Sequence, residues 1–135
     1  MRITVSVTAT SANLGPGFDT LGMALSHYDH YSAEVTGSAL QIEIRGEGEK
    51  DAPRDENNLV FKALKLVFDS VGEKVPGLKI SCENNIPHGR GMGSSGAAVA
   101  GGVMLAAGLL APKHQLTEQQ LLEFATELEG HPDNV

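Results

Sequence analysis

Three glycines in five residues, followed at once by two serines and a run of small apolar residues, make one stretch stand out chemically. It reads Ile86-Pro87-His88-Gly89-Arg90-Gly91-Met92-Gly93-Ser94-Ser95-Gly96-Ala97. The glycines free the backbone for unusual dihedral angles, and a helix opens at Ser94 or Ser95. The first turn of a helix leaves backbone N–H groups without internal partners, and its dipole favours negative charge, so phosphate is the expected guest. The serine hydroxyls can add hydrogen bonds or a metal ligand. A flexible linker is the plain alternative, but a linker would not run directly into Ala97-Ala98-Val99-Ala100. The stretch is not a Walker A loop, because no lysine follows the glycines.

Two further stretches concentrate polar side chains. Thr8-Ala9-Thr10-Ser11-Ala12-Asn13-Leu14-Gly15-Pro16-Gly17-Phe18-Asp19-Thr20-Leu21-Gly22 follows an alternating strand. Its plain reading is a tight loop in which Asn13 and Asp19 bond to the backbone. The last residues, Glu129-Gly130-His131-Pro132-Asp133-Asn134-Val135, read by themselves as a turn that stops a helix.

The glycine-rich segment resembles the phosphate loop of the GHMP kinases, in which a proline and a few loop residues precede Gly-Leu/Met-Gly-Ser-Ser-Gly/Ala-Ala. Met92 and Gly96 take the less usual permitted choices. The stretch around Asn13 and Asp19 resembles the N-terminal motif of homoserine kinases, and Glu129 to Val135 resembles a later segment of the same family. This resemblance implies an α+β fold, the GHMP kinase N-terminal domain of ribosomal protein S5 domain 2-like type, with helices packed on a mixed sheet. It implies transfer of the ATP γ-phosphoryl group to the side-chain hydroxyl of L-homoserine, a step of threonine biosynthesis. Pro87, His88, Gly89, Arg90, Gly91, Met92, Gly93, Ser94, Ser95, Gly96 and Ala97 would then surround ATP. Asn13, Asp19, His131 and Asp133 would contact substrate, with Asp133 and Asn134 near the reacting hydroxyl. Whether Asp133 is a true base stays open.

The same resemblance makes Ser95 and Glu129 the ligands of Mg²⁺, with Glu127 competing for the acidic place. Oxygen ligands of this kind suit Mg²⁺, which keeps several waters and binds nucleotide phosphates. Asn58 either caps a helix or lies near the nucleotide base, or does both. Residues 1–135 would form the ATP-binding domain, incomplete at its C-terminal end and without the C-terminal domain. Arginines for the substrate carboxylate would come from that absent part, since Arg2, Arg45, Arg54 and Arg90 do not obviously supply them. The alternatives are another GHMP kinase, such as one of the mevalonate pathway, or a non-catalytic nucleotide-binding relative.

The elements that must hold these residues are legible from hydrophobic spacing. Arg2 to Thr8 alternates with period two and reads as a half-buried strand. His27 to Thr36 and Leu40 to Ile44 read as two more strands, with a turn at Gly37-Ser38, and Leu78 to Glu83 as a fourth. From Asn58, apolar residues recur at helical spacing as far as about Gly72. A nearly all-apolar helix is expected from the serines to about Leu110, buried on more than one side. Thr117 and Gln120 have the spacing of a capping box for a last helix, stopped by Gly130 and Pro132. Strands and helices do not alternate regularly, which fits α+β layers better than a doubly wound sheet.

Composition bounds the rest. The chain has 135 residues, 17 acidic against 10 basic side chains and a formal net charge of -7. That balance argues against non-specific binding to nucleic acid or anionic lipid. The run Ala97 to Ala111 is short for a bilayer and carries three glycines, so neither a membrane span nor a targeting segment is expected. One cysteine, Cys82, cannot form an internal disulfide and reads as core filler, consistent with a cytoplasmic protein. His27, His30, His88 and His114 show no ligand-like spacing and read as structural or exposed. The apolar helix and unpaired strand edges lead us to expect a homo-oligomer, and the chain by itself is expected not to phosphorylate homoserine.

Overall fold

The chain forms an α+β unit in the computed structural model, which describes residues 1–8, 28–46, 50, 53–85 and 94–129, without the side chains of 94–96 and 129. Four strands, β1 (Arg2–Thr8), β2 (Tyr28–Val35), β3 (Gln41–Gly46) and β4 (Leu78–Asn84), make one sheet in the order β1-β2-β4-β3. β2 is antiparallel to both β1 and β4, whereas β3 runs parallel to β4, so the sheet is mixed. A parallel pair needs a crossover connection, and α1 (Leu59–Ser70) supplies it between β3 and β4. α2 (Ser94–Leu110) and α3 (Glu118–Glu129) are the other helices among the described residues.

Each strand lies close to its sequence expectation. β3 runs two residues beyond Ile44, because Arg45 and Gly46 continue the parallel ladder opposite Glu83 and Asn84. That extension has no apolar alternation and could be set only by its partner strand.

The period-two pattern sorts the sheet into two unlike faces. Ile3, Val5 and Val7 of β1, Tyr31 and Ala33 of β2, Ile42 and Ile44 of β3, and Leu78, Ile80 and Cys82 of β4 face the helices and build the core. The other face is polar throughout. Across the strands, Arg2 stands opposite Glu34, and Glu34 opposite Lys79; Thr4 aligns with Ser32, and Ser32 with Ser81. Lys79 pairs with Glu43 at 3.3 Å, and Ser6 Oγ lies 2.7 Å from His30 Nδ1. Charges on this face therefore sit beside charges of opposite sign.

Local sequence closes the helices. α1 ends with two backbone bonds, Gly72 N–H to Asp69 O and Glu73 N–H to Phe68 O, and Gly72 takes φ of +73° to make them. At the start of α3, Thr117 N–H donates to Gln120 Oε1 at 2.9 Å and Gln120 N–H donates to Thr117 Oγ1 at 3.1 Å, the expected capping box. His114, in the connection before α3, meets Glu73 at 3.0 Å, and this bond holds the Glu73 carboxyl below its usual range.

α2 is apolar nearly all round and is covered accordingly, touching β1, β2, α1 and α3. Gly101 lies against the ring of Tyr31 and Gly102 against the Val60 carbonyl of α1, where any Cβ would collide. Among the described residues no helix is long and apolar enough to cross a membrane.

The close approach at Gly102 makes a stability prediction. Alanine is the better helix former, yet Gly102→Ala should destabilise by about 1–3 kcal/mol, because its methyl meets backbone that cannot turn aside. Gly108→Ala should cost less, since its Cβ meets the movable Ile3 side chain at 2.8 Å. Urea denaturation of both variants checks the ranking.

Candidate functional site

The structure places the two ends of the glycine-rich segment. β4 finishes at Asn84, Asn85 follows, and α2 begins at Ser94. Eight residues, 86–93, join them. Pro87, His88, Gly89, Arg90, Gly91, Met92 and Gly93 lie outside the described residues, as do the side chains of Ser94 and Ser95. Ala97, in the first turn of α2, is fully buried. α2 has seventeen residues and no acidic side chain in its first turn. Its N-terminal N–H groups therefore keep their partial positive charge uncompensated by a carboxylate of the same turn.

The residue before this segment is tied down twice. Asn85 N–H donates to Asp29 Oδ1 at 2.7 Å, and Asn85 Nδ2 donates to the Tyr28 carbonyl at 2.8 Å. Asp29 occupies an inward position of β2 and is 1% exposed. Its Oδ2 accepts the Tyr31 hydroxyl at 2.8 Å. Burial first, and then the charge of Asp29, push the Tyr31 phenol far above its ordinary range. Burial and the same charge push the Cys82 thiol up to about 12. At neutral pH Cys82 is thus a protonated core residue, as its place in β4 suggested.

Asn58 is the candidate residue the structure describes most fully. Its Oδ1 accepts Val60 N–H at 2.9 Å and Phe61 N–H at 3.4 Å. Its Nδ2 donates to the Pro53 carbonyl at 2.9 Å. This is the helix cap, with the side chain buried and both ends of the amide engaged.

Asn13, Asp19, His131, Asp133 and Asn134 lie outside the described residues, and of Glu129 only the backbone, at the end of α3, is described. Glu127 is exposed near that same end. His30 bonds to Ser6 and stacks on Tyr28, and His114 pairs with Glu73, so both act structurally. Among the described residues no group of three His, Cys, Asp or Glu side chains could hold a metal.

Asp29, Tyr31 and Asn85 were not among the expected site residues. One signal was available: Asp29 stands on the inward phase of an alternating strand, where an apolar residue is the norm.

Residues 58–135 match the family described as GHMP kinases N terminal domain. The chain is 52% identical over 134 residues to the homoserine kinase of Leifsonia xyli subsp. xyli, covering 98% of this chain and 42% of that protein. It superposes on the crystal structure of homoserine kinase from Cytophaga hutchinsonii with a TM-score of 0.68 and 28% identity, over 80% of this chain and 36% of that one. The Methanococcus jannaschii mevalonate kinase matches with a TM-score of 0.62 at 15% identity, over 96% of this chain and 45% of that one. That last likeness concerns the fold alone. The chain thus spans less than half the length of the relatives it matches.

The cap geometry yields a direct test. Asn58→Ala should lower stability by about 1 kcal/mol, since two N–H groups of α1 lose their acceptor. Asn58→Asp keeps that acceptor and should retain most of the stability, as read from thermal and urea unfolding.

Proposed function

Because the chain belongs to the GHMP kinases through their N-terminal domain, we propose that the protein is a homoserine kinase and that residues 1–135 are its ATP-binding part. The observation that carries this reading is the 52% identity to a homoserine kinase across nearly the whole chain. The fold by itself does not separate homoserine from mevalonate, since both kinds of kinase share it.

In the proposed reaction the side-chain hydroxyl oxygen of L-homoserine attacks the γ-phosphorus of ATP. The bond from that phosphorus to the β–γ bridging oxygen breaks, and ADP leaves with the bridging oxygen. The hydroxyl proton passes to Asp133 or to solvent. Positioning and charge stabilisation supply most of the rate in such transfers, so a strong base is not indispensable. The backbone after Gly93 and the first turn of α2 would cradle the phosphates. Asn13, Asp19, His131 and Asp133 would bind the amino acid, their carboxylates meeting its ammonium. Asn134 would lie near the reacting hydroxyl, and Asn58 near the nucleotide base while still capping α1.

Ser95 and Glu129 would hold Mg²⁺, which when bound neutralises charge on the nucleotide phosphates. They start α2 and end α3, and these helices pack on each other across the connection 111–117. A short connection between packed helices runs the second back along the first, which supports bringing the two ligands to one end. A cytoplasmic homo-oligomer fits the same reading, with Met104 of α2 and Leu122 of α3 exposed at 43% and 41%.

An ADP-release assay of the full-length protein should show turnover of homoserine faster than of mevalonate or galactose; the reverse order overturns the assignment. Asp19→Asn should raise KM for homoserine with a smaller effect on ATP.

The phosphate cradle has its own test. Gly93→Val should abolish most ATP binding in calorimetry, and unchanged binding would contradict the cradle. Ser95→Ala should chiefly slow Mg²⁺-dependent turnover, by about 2–4 kcal/mol in the barrier.

A further inference from the structure

We propose that Asp29 is a positioning residue for nucleotide binding: its buried carboxylate, bonded to Asn85 and to Tyr31, sets where the glycine-rich segment leaves the sheet and ties that point to α2. The proposal rests on the reading of residues 86–97 as the phosphate-binding segment.

A carboxylate on the core face of a sheet is costly unless its oxygens accept hydrogen bonds. Asp29 is 1% exposed, and its two oxygens accept from two different parts of the chain. Oδ1 takes the Asn85 N–H at 2.7 Å, across fifty-six residues of sequence. Asn85 lies one residue past the end of β4, where the β2–β4 register has already stopped at His30 and Glu83. Asp29 thus continues, by a side chain, the hold that the strand ladder has given up. The second bond, from Asn85 Nδ2 to Tyr28 O, fixes the same residue from the adjoining position of β2.

Oδ2 connects the other way. It accepts the Tyr31 hydroxyl at 2.8 Å, and the Tyr31 ring lies against Gly101, two turns into the helix that the glycine-rich segment opens. Asn85, Asp29, Tyr31 and Gly101 form a contact chain from one end of the eight-residue segment to the helix at its other end. Short bonds to a carboxylate fix distances more sharply than apolar packing does. Phosphoryl transfer depends on such positioning, so slack at either end should appear first in ATP affinity.

The test is steady-state kinetics and ATP calorimetry on the full-length protein with Asp29→Ala, Asp29→Asn and Tyr31→Phe. Asp29→Ala should raise KM and Kd for ATP about tenfold, the loss expected for one buried charged hydrogen bond, with KM for homoserine little changed. Asp29→Asn keeps an acceptor for the Asn85 N–H and should recover most of the ATP affinity. Tyr31→Phe should fall between them. Ile44→Val, a core residue of β3 outside this contact chain, serves as a control for general destabilisation.

Unchanged ATP affinity in Asp29→Ala overturns the proposal, and so does an equal ATP effect in the Ile44→Val control. Should Asp29→Ala fail to fold, Tyr31→Phe and the amide exchange of Asn85 in the native protein decide. An Asn85 N–H that exchanges as fast as an exposed amide overturns the proposal, whereas protection comparable to β4 supports it. A native protein that binds no ATP overturns the proposed function instead, and the Asn85 exchange then still reports whether Asp29 holds that residue.

Discussion

The close approach of α2 to its neighbours is the constraint on which the rest of the structure depends. Adjacent Gly101 and Gly102 present no side chain, so the helix settles with one face on the Tyr31 ring and another on the α1 backbone. Val99, Val103, Leu105 and Ala106 complete the burial around it. A helix held on several sides by close packing has little freedom to shift along or about its axis. Its first turn is therefore fixed relative to the sheet, and a helix N-terminus binds an anion well only when its N–H groups stay aimed at one place.

Electrostatics divide the molecule along the sheet. The outer face balances lysine and arginine against glutamate between strands, with a row of hydroxyls from Thr4, Ser32 and Ser81 at its centre. The inner face is apolar apart from the Asp29–Tyr31 pair, whose negative charge reaches Cys82 as well. A buried carboxylate on an apolar face is destabilising unless it is bonded, and one of its bonds comes from Asn85, just before the glycine-rich segment. At Asn58, one amide caps α1 and also holds the chain that approaches it at Pro53.

Much of this protein was legible from sequence, and the legible parts share a cause. Period-two runs marked β1, β3 and β4, a stretch rich in tyrosine, threonine and valine marked β2, and 3.6-residue spacing marked α1 and α3. Asn58 and the Thr117–Gln120 box were readable as caps because the groups they satisfy lie within three residues. The glycine-rich segment stood out because three closely spaced glycines and two serines fall between a strand pattern and an apolar helical run. In each case the interacting groups are near neighbours, so a short window of sequence contains the whole interaction.

What only the tertiary structure decided involves partners far apart in the chain. No local pattern dictates that β4 inserts between β2 and β3, or that β3 extends to Gly46 to follow it. Nor does Asp29 announce its role, because its meaning lies in Asn85, fifty-six residues away, and in an N–H that lost its strand partner where β4 ends. Gly101 and Gly102 of α2 pointed to close packing, but only the fold shows that Tyr31 and Val60 are what lie against them. Sequence determined which segments are strands, helices and caps, since those depend on backbone geometry and neighbouring side chains. The fold alone determined which distant groups satisfy one another, since a buried polar atom can bond only to what packing brings within reach.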